Sequence, residues 1–138
     1  MTSIAPGIPD GFARHFRQSP VTDPWEPLYM RRADDLFVLA LRIDTPHCNA
    51  RGLLHGGVIS ALADNAMGLA CVLLLENASA LTINLSVDLM STGKVGQWLE
   101  VRAAPTRLGK TLAFADARVF ADDALIAKAS ATFRILTR

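Results

Sequence analysis

The chain has 138 residues, 51% of them apolar and 20% charged, and its formal net charge is +1. This length and balance predict one folded domain spanning residues 1–138, and they exclude a largely disordered chain. No basic run is present, so nucleic-acid binding has no electrostatic support. The two cysteines, Cys48 and Cys71, form neither a CxxC pair nor a disulfide framework, and we expect reduced thiols in a cytoplasmic protein.

The first 25 residues are predicted to be a partly loose N-terminal extension. Residues 1–9 carry no positive charge and no long apolar core, so a secretory signal is not expected. Residues 10–18 are predicted to form a short helix, because Asp10 is a favourable N-cap and two phenylalanines would share one helical face. His15, within this segment, is expected to lie on the surface.

Two short strands are predicted next, over residues 28–32 and 36–43, followed by a loop over residues 46–56. A helix is then predicted from about Gly57 to about Leu75. Its apolar stretch resembles a membrane span, but Asp64 lies near the middle, and a central Asp costs about 2.5–3.5 kcal/mol on insertion. The helix is therefore expected to be enclosed inside a folded domain, with no membrane contact.

Four strands are predicted after the helix, over residues 82–89, 98–106, 111–121 and 124–136. In the last one, small side chains alternate with polar ones, which would let a helix lie close to the sheet. The order predicts two strands, one long apolar helix and a four-strand meander. This is an α+β fold in which an antiparallel sheet curls around the helix.

The triplet His55-Gly56-Gly57 stands at the predicted start of the long helix. Helix N-termini present unpaired N–H groups and a partial positive charge, and glycines let a ligand approach the backbone. Such a position can hold a polarised carbonyl oxygen. Read alone, the triplet is more often an ordinary helix start.

Asp64 is the only ionisable residue between His55 and Glu76, and a charge on an apolar helix is costly unless it is paired or solvated. It is therefore a candidate general base or nucleophile. Asp64 lies about 10.5 Å beyond Gly57 along one helix axis. Because one carbonyl must contact both the donor and the attacking group, the spacing predicts a site shared between two copies.

Other polar residues near this segment have simpler interpretations. Asn49 is also suited to shaping a turn, and His47 is expected to be a loop residue. His47 and His55 lack a third ligand at a suitable spacing, so a metal site is not expected. Ser60 is not in a GxSxG elbow, which argues against a serine hydrolase.

The whole constellation resembles the PaaI-like family of hotdog-fold acyl-CoA thioesterases over roughly residues 35–136. The matching residues are Asn49, Gly52, His55-Gly56-Gly57, Leu62-Ala63-Asp64-Asn65, Leu81-Thr82-Ile83-Asn84-Leu85-Ser86-Val87 and Gly109-Lys110-Thr111-Leu112-Ala113-Phe114. The resemblance implies a curved sheet around a central helix, with two subunits joined edge to edge as a homodimer, or as a homotetramer of two dimers. It implies no metal and no redox cofactor.

The resemblance also implies a role for each site residue. Asn49 and the Gly56 N–H would hold the thioester carbonyl, and Asp64 of the other subunit would activate water or attack directly. Thr82 would position that water, and His55 would support the loop and contact the thioester region.

The sequence contains no phosphate-loop motif that could bind the nucleotide of coenzyme A. The candidates for binding it are therefore cationic side chains scattered along the chain. These are Arg51, Arg107 and Lys110, with Gly57 as a further substrate-binding position. Two other functions stay open: a hotdog acyl-thioester hydratase or dehydratase, and a non-catalytic acyl-CoA-binding protein. The identity of the acyl group is not encoded in any recognisable motif.

Overall fold

The computed structural model describes residues 7–137, so part of the predicted loose extension, residues 1–6, lies outside the described residues. Within these described residues there are seven strands and one α-helix. In chain order they are β1 (Ala13–Arg14), β2 (Tyr29–Ala33), β3 (Leu36–Arg42), α1 (Gly56–Val72), β4 (Ala78–Leu89), β5 (Trp98–Leu108), β6 (Leu112–Ala121) and β7 (Ala124–Thr137). Short 3-10 helices occupy Asp23–Trp25 and Thr45–His47.

The predicted strands and the predicted long helix are confirmed, with shifted ends. Helix α1 begins one residue earlier than predicted and ends at Val72, since the Leu74 and Leu75 N–H groups donate to carbonyls three residues back instead of four. Strand β4 begins at Ala78, four residues earlier than predicted. The alternating pattern located the elements, and their ends were set by contacts outside each segment.

The strand order is β1-β2-β3-β5-β6-β7-β4, so the predicted four-strand meander is wrong. Strand β4 pairs with β7, and β5 pairs with β3. The connection from β4 to β5 therefore runs from β7 to β3. At its start the Met90 N–H donates to the Ile126 carbonyl of β7, and at its end the Gln97 carbonyl accepts from the N–H of Ile43, which follows β3. The reason is that α1 crosses the sheet and delivers β4 to the far side of β7.

Helix α1 is enclosed, as predicted, because the sheet curls around it. The helix contacts β3, β4, β5, β6 and β7, and its Ala63, Ala66 and Met67 have no exposed surface. On β7 the inward positions include Ala127 and Phe133, both buried, as the alternation predicted. Small inward side chains allow this close approach of helix and sheet. In the part of the chain that the structure describes, no helix is long and apolar enough to cross a membrane.

Strand β4 forms one edge of the described sheet and carries a bulge between Thr82 and Asn84. Before the bulge, Ala80 packs on the core; after it, Leu85 and Val87 do. Even-numbered residues therefore point inward before the bulge, and odd-numbered residues point inward after it. This is why Thr82 faces the helix although the simple alternation placed it opposite Leu85.

The predicted helix over residues 10–18 is wrong. Gly11 has φ +89, which no right-handed helix tolerates, and β1 pairs with β2 instead. Phe12 packs on Trp98 at the outer face of the sheet, with ring centroids 5.3 Å apart. His15 is buried, not exposed as expected, because the chain folds inward after β1.

Candidate functional site

Asp64 lies on the half-buried side of α1 and its carboxylate is fixed by a neighbouring strand. The Thr82 hydroxyl donates to Asp64 Oδ1 at 2.7 Å, and the β4 bulge is what turns Thr82 toward the helix. Both residues line a cavity of about 220 Å³ beside the helix. A carboxylate held at one oxygen by a hydroxyl donor retains its second oxygen as a free acceptor facing this space.

The start of α1 is built by the His55 side chain. His55 Nδ1 accepts from the Gly57 N–H at 2.8 Å, so the imidazole is the N-cap of the helix. Within the described residues the Gly56 N–H makes no hydrogen bond. A Cβ on Gly56 would lie 2.6 Å from Leu89 Cδ1, which shows how closely β4 approaches this end of the helix. The helix start thus offers one unused donor, on Gly56.

The Asn49 side chain holds the loop that precedes the helix. Its Oδ1 accepts from the Arg51 N–H at 2.9 Å and from the Leu53 N–H at 3.1 Å. The Asn49 amide therefore shapes the turn, which was its simpler interpretation. Since Oδ1 is occupied from within the loop, the Nδ2 group is oriented away from it and has no acceptor among the described residues.

The single chain does not bring all the predicted site residues together. Asp64 and Thr82 meet, and Asn49, His55 and Gly56 belong to the same loop and helix start. Asp64 follows Gly56 by eight residues on one helix, which corresponds to about 12 Å along the axis. Of these loop residues, none lines the cavity at Asp64. The two halves of the predicted site are therefore separate within one chain.

The candidate cations lie on exposed loops and strand ends. Arg107 is at the end of β5, beside the bulge opposite Phe114, and Lys110 is in the turn before β6. Arg51 is exposed in the Asn49 loop. None of the three is in an ion pair among residues 7–137.

His47 differs from its expected role as a plain loop residue. It ends the 3-10 helix Thr45–His47 and is buried; its Nδ1 accepts from the Asp44 N–H, and its Nε2 bonds to the Trp25 carbonyl. Its carbonyl accepts from the His55 N–H, so the His47 ring anchors the segment that leads to the helix start.

Comparison with known proteins identifies the family. The family model of the thioesterase superfamily matches residues 51–128, which is more than half of the chain. The chain belongs to the thioesterase superfamily. It is 40% identical over 130 residues to a putative esterase of Pseudomonas aeruginosa, covering 93% of this chain and 97% of that protein.

Two further relatives place this thioesterase more closely. Human acyl-coenzyme A thioesterase 13 is 31% identical over 77 residues, covering 56% of this chain and 55% of that protein. A mutant of the phenylacetic acid degradation protein PaaI from Thermus thermophilus is 25% identical, with a TM-score of 0.75, covering 84% of this chain and 98% of that one. The protein is thus a hotdog-fold, PaaI-like thioester hydrolase. The resemblance to the PaaI-like family and the predicted α+β hotdog fold are both confirmed.

The cavity of this thioesterase includes residues that sequence reasoning missed. Its second wall is the segment after β1, which contributes His15, Arg17, Ser19 and Thr22. Burial lowers the pKa of His15, the Glu26 carboxylate acts in the opposite direction, and Arg17 lowers it again. No sequence signal pointed to this wall, because the spacing within residues 10–18 favoured a helix, whereas the actual position of the segment depends on the pairing of β1 with β2.

Proposed function

We propose that this protein hydrolyses an acyl-CoA thioester to the free acid and coenzyme A, with Asp64 as the general base or the nucleophile. The observation that carries the proposal is the 2.7 Å hydrogen bond that fixes the Asp64 carboxylate beside a cavity. The name of human acyl-coenzyme A thioesterase 13 supports acyl-CoA as the substrate class.

Thr82 supports a general-base role for Asp64. A hydroxyl has one donor and two acceptor positions, and its donor is used by Asp64 Oδ1. Its oxygen then accepts a hydrogen bond from water, while Asp64 Oδ2 takes the other proton of that water. Direct attack by Oδ2 on the thioester carbon, with later hydrolysis of the anhydride, remains the alternative route.

The thioester carbonyl oxygen would be held by the unused Gly56 N–H and by Asn49 Nδ2. Donors of this kind, placed at a helix N-terminus, stabilise the negative charge that develops on the carbonyl oxygen during attack. The Gly57 N–H is taken by His55, and a Cβ on Gly57 would lie 2.9 Å from His55 Nδ1, so Gly57 makes room for the capping imidazole rather than supplying a donor. His55 acts as a positioning residue that fixes the helix start.

We propose that Asp64 acts on a carbonyl held by the Gly56 and Asn49 of a second copy. The separation of about 12 Å along one helix prevents a single chain from contacting one carbonyl with both groups. Strand β4, at the sheet edge, exposes more than half of Leu81 and Ile83. A long apolar edge strand of this kind is suited to pairing with another copy, which supports a homodimer or a homotetramer built from dimers.

The nucleotide end of coenzyme A would be bound by Arg51, Arg107 and Lys110. These exposed cations have no ion-pair partner among the described residues and lie outside the Asp64 cavity, as a long substrate would require. Since both cysteines are free thiols, we also expect a cytoplasmic location.

A thiol-release assay over a panel of acyl-CoAs tests the proposal. The wild-type protein should release coenzyme A, and Asp64→Asn should lower kcat by about 10²–10⁴-fold, because the near-isosteric amide keeps the Thr82 bond and loses the base. Asp116→Asn, an exposed carboxylate on the outer face, is the matched control and should change little. Undiminished turnover by a folded Asp64→Asn protein would refute the assignment, and water addition without thiol release would favour a hydratase.

A further inference from the structure

The cavity beside Asp64 has the size of a short acyl group. Its volume is about 220 Å³, and an apolar cavity of roughly 150 Å³ is enough to hold benzene. One wall is α1, through Asp64, Gly68 and Val72, and the opposite wall is the segment of residues 15–22. An acyl chain attached to a thioester at Asp64 would therefore extend along the helix between these walls.

On the segment wall, His15 lies toward the end of α1 that is far from Asp64. Asp64 and Val72 are eight residues apart on α1, or about 12 Å along the axis. The His15 ring packs edge-on to the Phe37 ring at 6.0 Å, and Phe37 in turn borders Ala70 and Leu73 near the end of the helix. Groups carried by this part of the segment thus face the distal end of a bound acyl chain.

The distal wall is polar, which is unusual for the end of an acyl pocket. His15 is only 8% exposed, and its Nδ1 has no hydrogen-bond partner among the described residues. Burial holds the pKa of His15 below its usual value despite the opposing charge of Glu26, so the ring is neutral at pH 7. Arg17 is then the permanent charge at this wall, and it forms no ion pair among residues 7–137.

Two hydroxyls complete this wall. The Ser19 and Thr22 hydroxyl oxygens lie 3.0 Å apart, and the hydroxyl of the buried Thr22 also donates to the Ser19 carbonyl. An unsubstituted alkyl chain would leave the buried His15 ring against carbon and would give the exposed Arg17 guanidinium no partner. Burying a polar ring without a partner is unfavourable, whereas a carboxylate could accept a hydrogen bond from the ring and pair with the guanidinium.

We propose that this pocket selects short acyl groups that carry a carboxylate at the end distal to the thioester, with Arg17 as the specificity-determining cation and His15 as a second donor. The inference rests on the acyl-CoA thioesterase activity proposed above. The substrates would be monothioesters of short dicarboxylic acids with coenzyme A.

Three five-carbon substrates provide the test, because they differ only at the distal end: glutaryl-CoA, pentanoyl-CoA and 5-hydroxypentanoyl-CoA. We expect the wild-type protein to have its highest kcat/KM with glutaryl-CoA. Arg17→Gln should lower kcat/KM for glutaryl-CoA at least about tenfold more than for pentanoyl-CoA, the usual effect of losing a hydrogen bond to a charged group. The matched control is Arg118→Gln, an exposed arginine on the outer face, which should leave the substrate ratios unchanged.

Several outcomes would overturn the inference while leaving the thioesterase assignment intact. One is a wild-type preference for pentanoyl-CoA or 5-hydroxypentanoyl-CoA over glutaryl-CoA. The other is an equal decrease of kcat/KM with all three substrates in Arg17→Gln. Because Arg17 is exposed, Arg17→Gln is not expected to impair folding, and circular dichroism checks this. A wild-type protein that released thiol from no acyl-CoA would instead refute the proposed function, and this inference with it.

Discussion

The proposed sharing of the site between two subunits makes a quantitative prediction about mixed dimers. Asp64→Asn removes the base, and Asn49→Asp removes the Nδ2 donor while keeping an oxygen for the Arg51 and Leu53 N–H groups. Alanine at position 49 would lose those two loop bonds as well, so aspartate is the cleaner change. The expected losses in the pure variants are about 10²–10⁴-fold for the base and about 10²–10³-fold for the donor.

Mixing the two inactive variants should restore activity if the site joins two chains. In a mixed dimer, one site contains both substitutions and the other site contains neither. With random exchange about half of the dimers are mixed, and each has one intact site of two, so activity should return to about one quarter of wild type. The pure variants contribute about 1% or less, so this recovery is easily measured as thiol release.

A second mixture is the matched negative control. Asp64 and Thr82 are joined by a 2.7 Å hydrogen bond within one chain, so they serve the same site. When Asp64→Asn is mixed with Thr82→Val, every site carries one lesion, and the activity should equal the mean of the two parents. Absence of recovery in the first mixture, with subunit exchange demonstrated by native mass spectrometry, would refute the cross-subunit site.

Three further predictions concern the helix start, the core and the thiols. His55→Ala should lower the free energy of unfolding by about 0.5–2 kcal/mol through loss of the N-cap, and His55→Asn, which keeps an acceptor, should recover most of it in urea denaturation. Gly93→Ala should cost about 1–3 kcal/mol, because its Cβ would lie 2.7 Å from Cδ1 of the buried Ile43; an unchanged urea midpoint would contradict this. Burial raises the pKa of Cys71 to about 11, so at pH 8 only about one molecule in a thousand carries its thiolate. Ellman's reagent should therefore label Cys48 first and Cys71 only after unfolding, and rapid labelling of both in the folded protein would refute the buried assignment.

The motif residues of the site could be read from the sequence because they are local. His55, Gly56 and Gly57 form a helix start through neighbours two residues away, and the Asn49 turn closes within four residues. Short-range hydrogen bonds of this kind depend on the order of residues alone. The separation of Gly56 and Asp64 follows from helix geometry in the same way.

The long apolar helix and the alternating strands were also determined by the sequence, because burial imposes a period on each element. Strand pairing was not, because the same alternation allows β4 to pair with either β5 or β7. That choice depends on where α1 delivers the chain after crossing the sheet. The bulge that turns Thr82 toward Asp64 belongs to this pairing and has no local signature in the sequence.

The distal wall of the cavity was decided by tertiary structure alone. Residues 10–18 have an N-cap and a favourable apolar spacing for a helix, yet Gly11 at φ +89 and the contact of Phe12 with Trp98 make the chain pair with β2. Contacts between residues more than 80 positions apart outweigh the weak helical preference of so short a segment. The sequence by itself determined where the carboxylate and the helix start lie on α1, whereas the long-range packing of the first strand decided that His15 and Arg17 line the cavity beside Asp64.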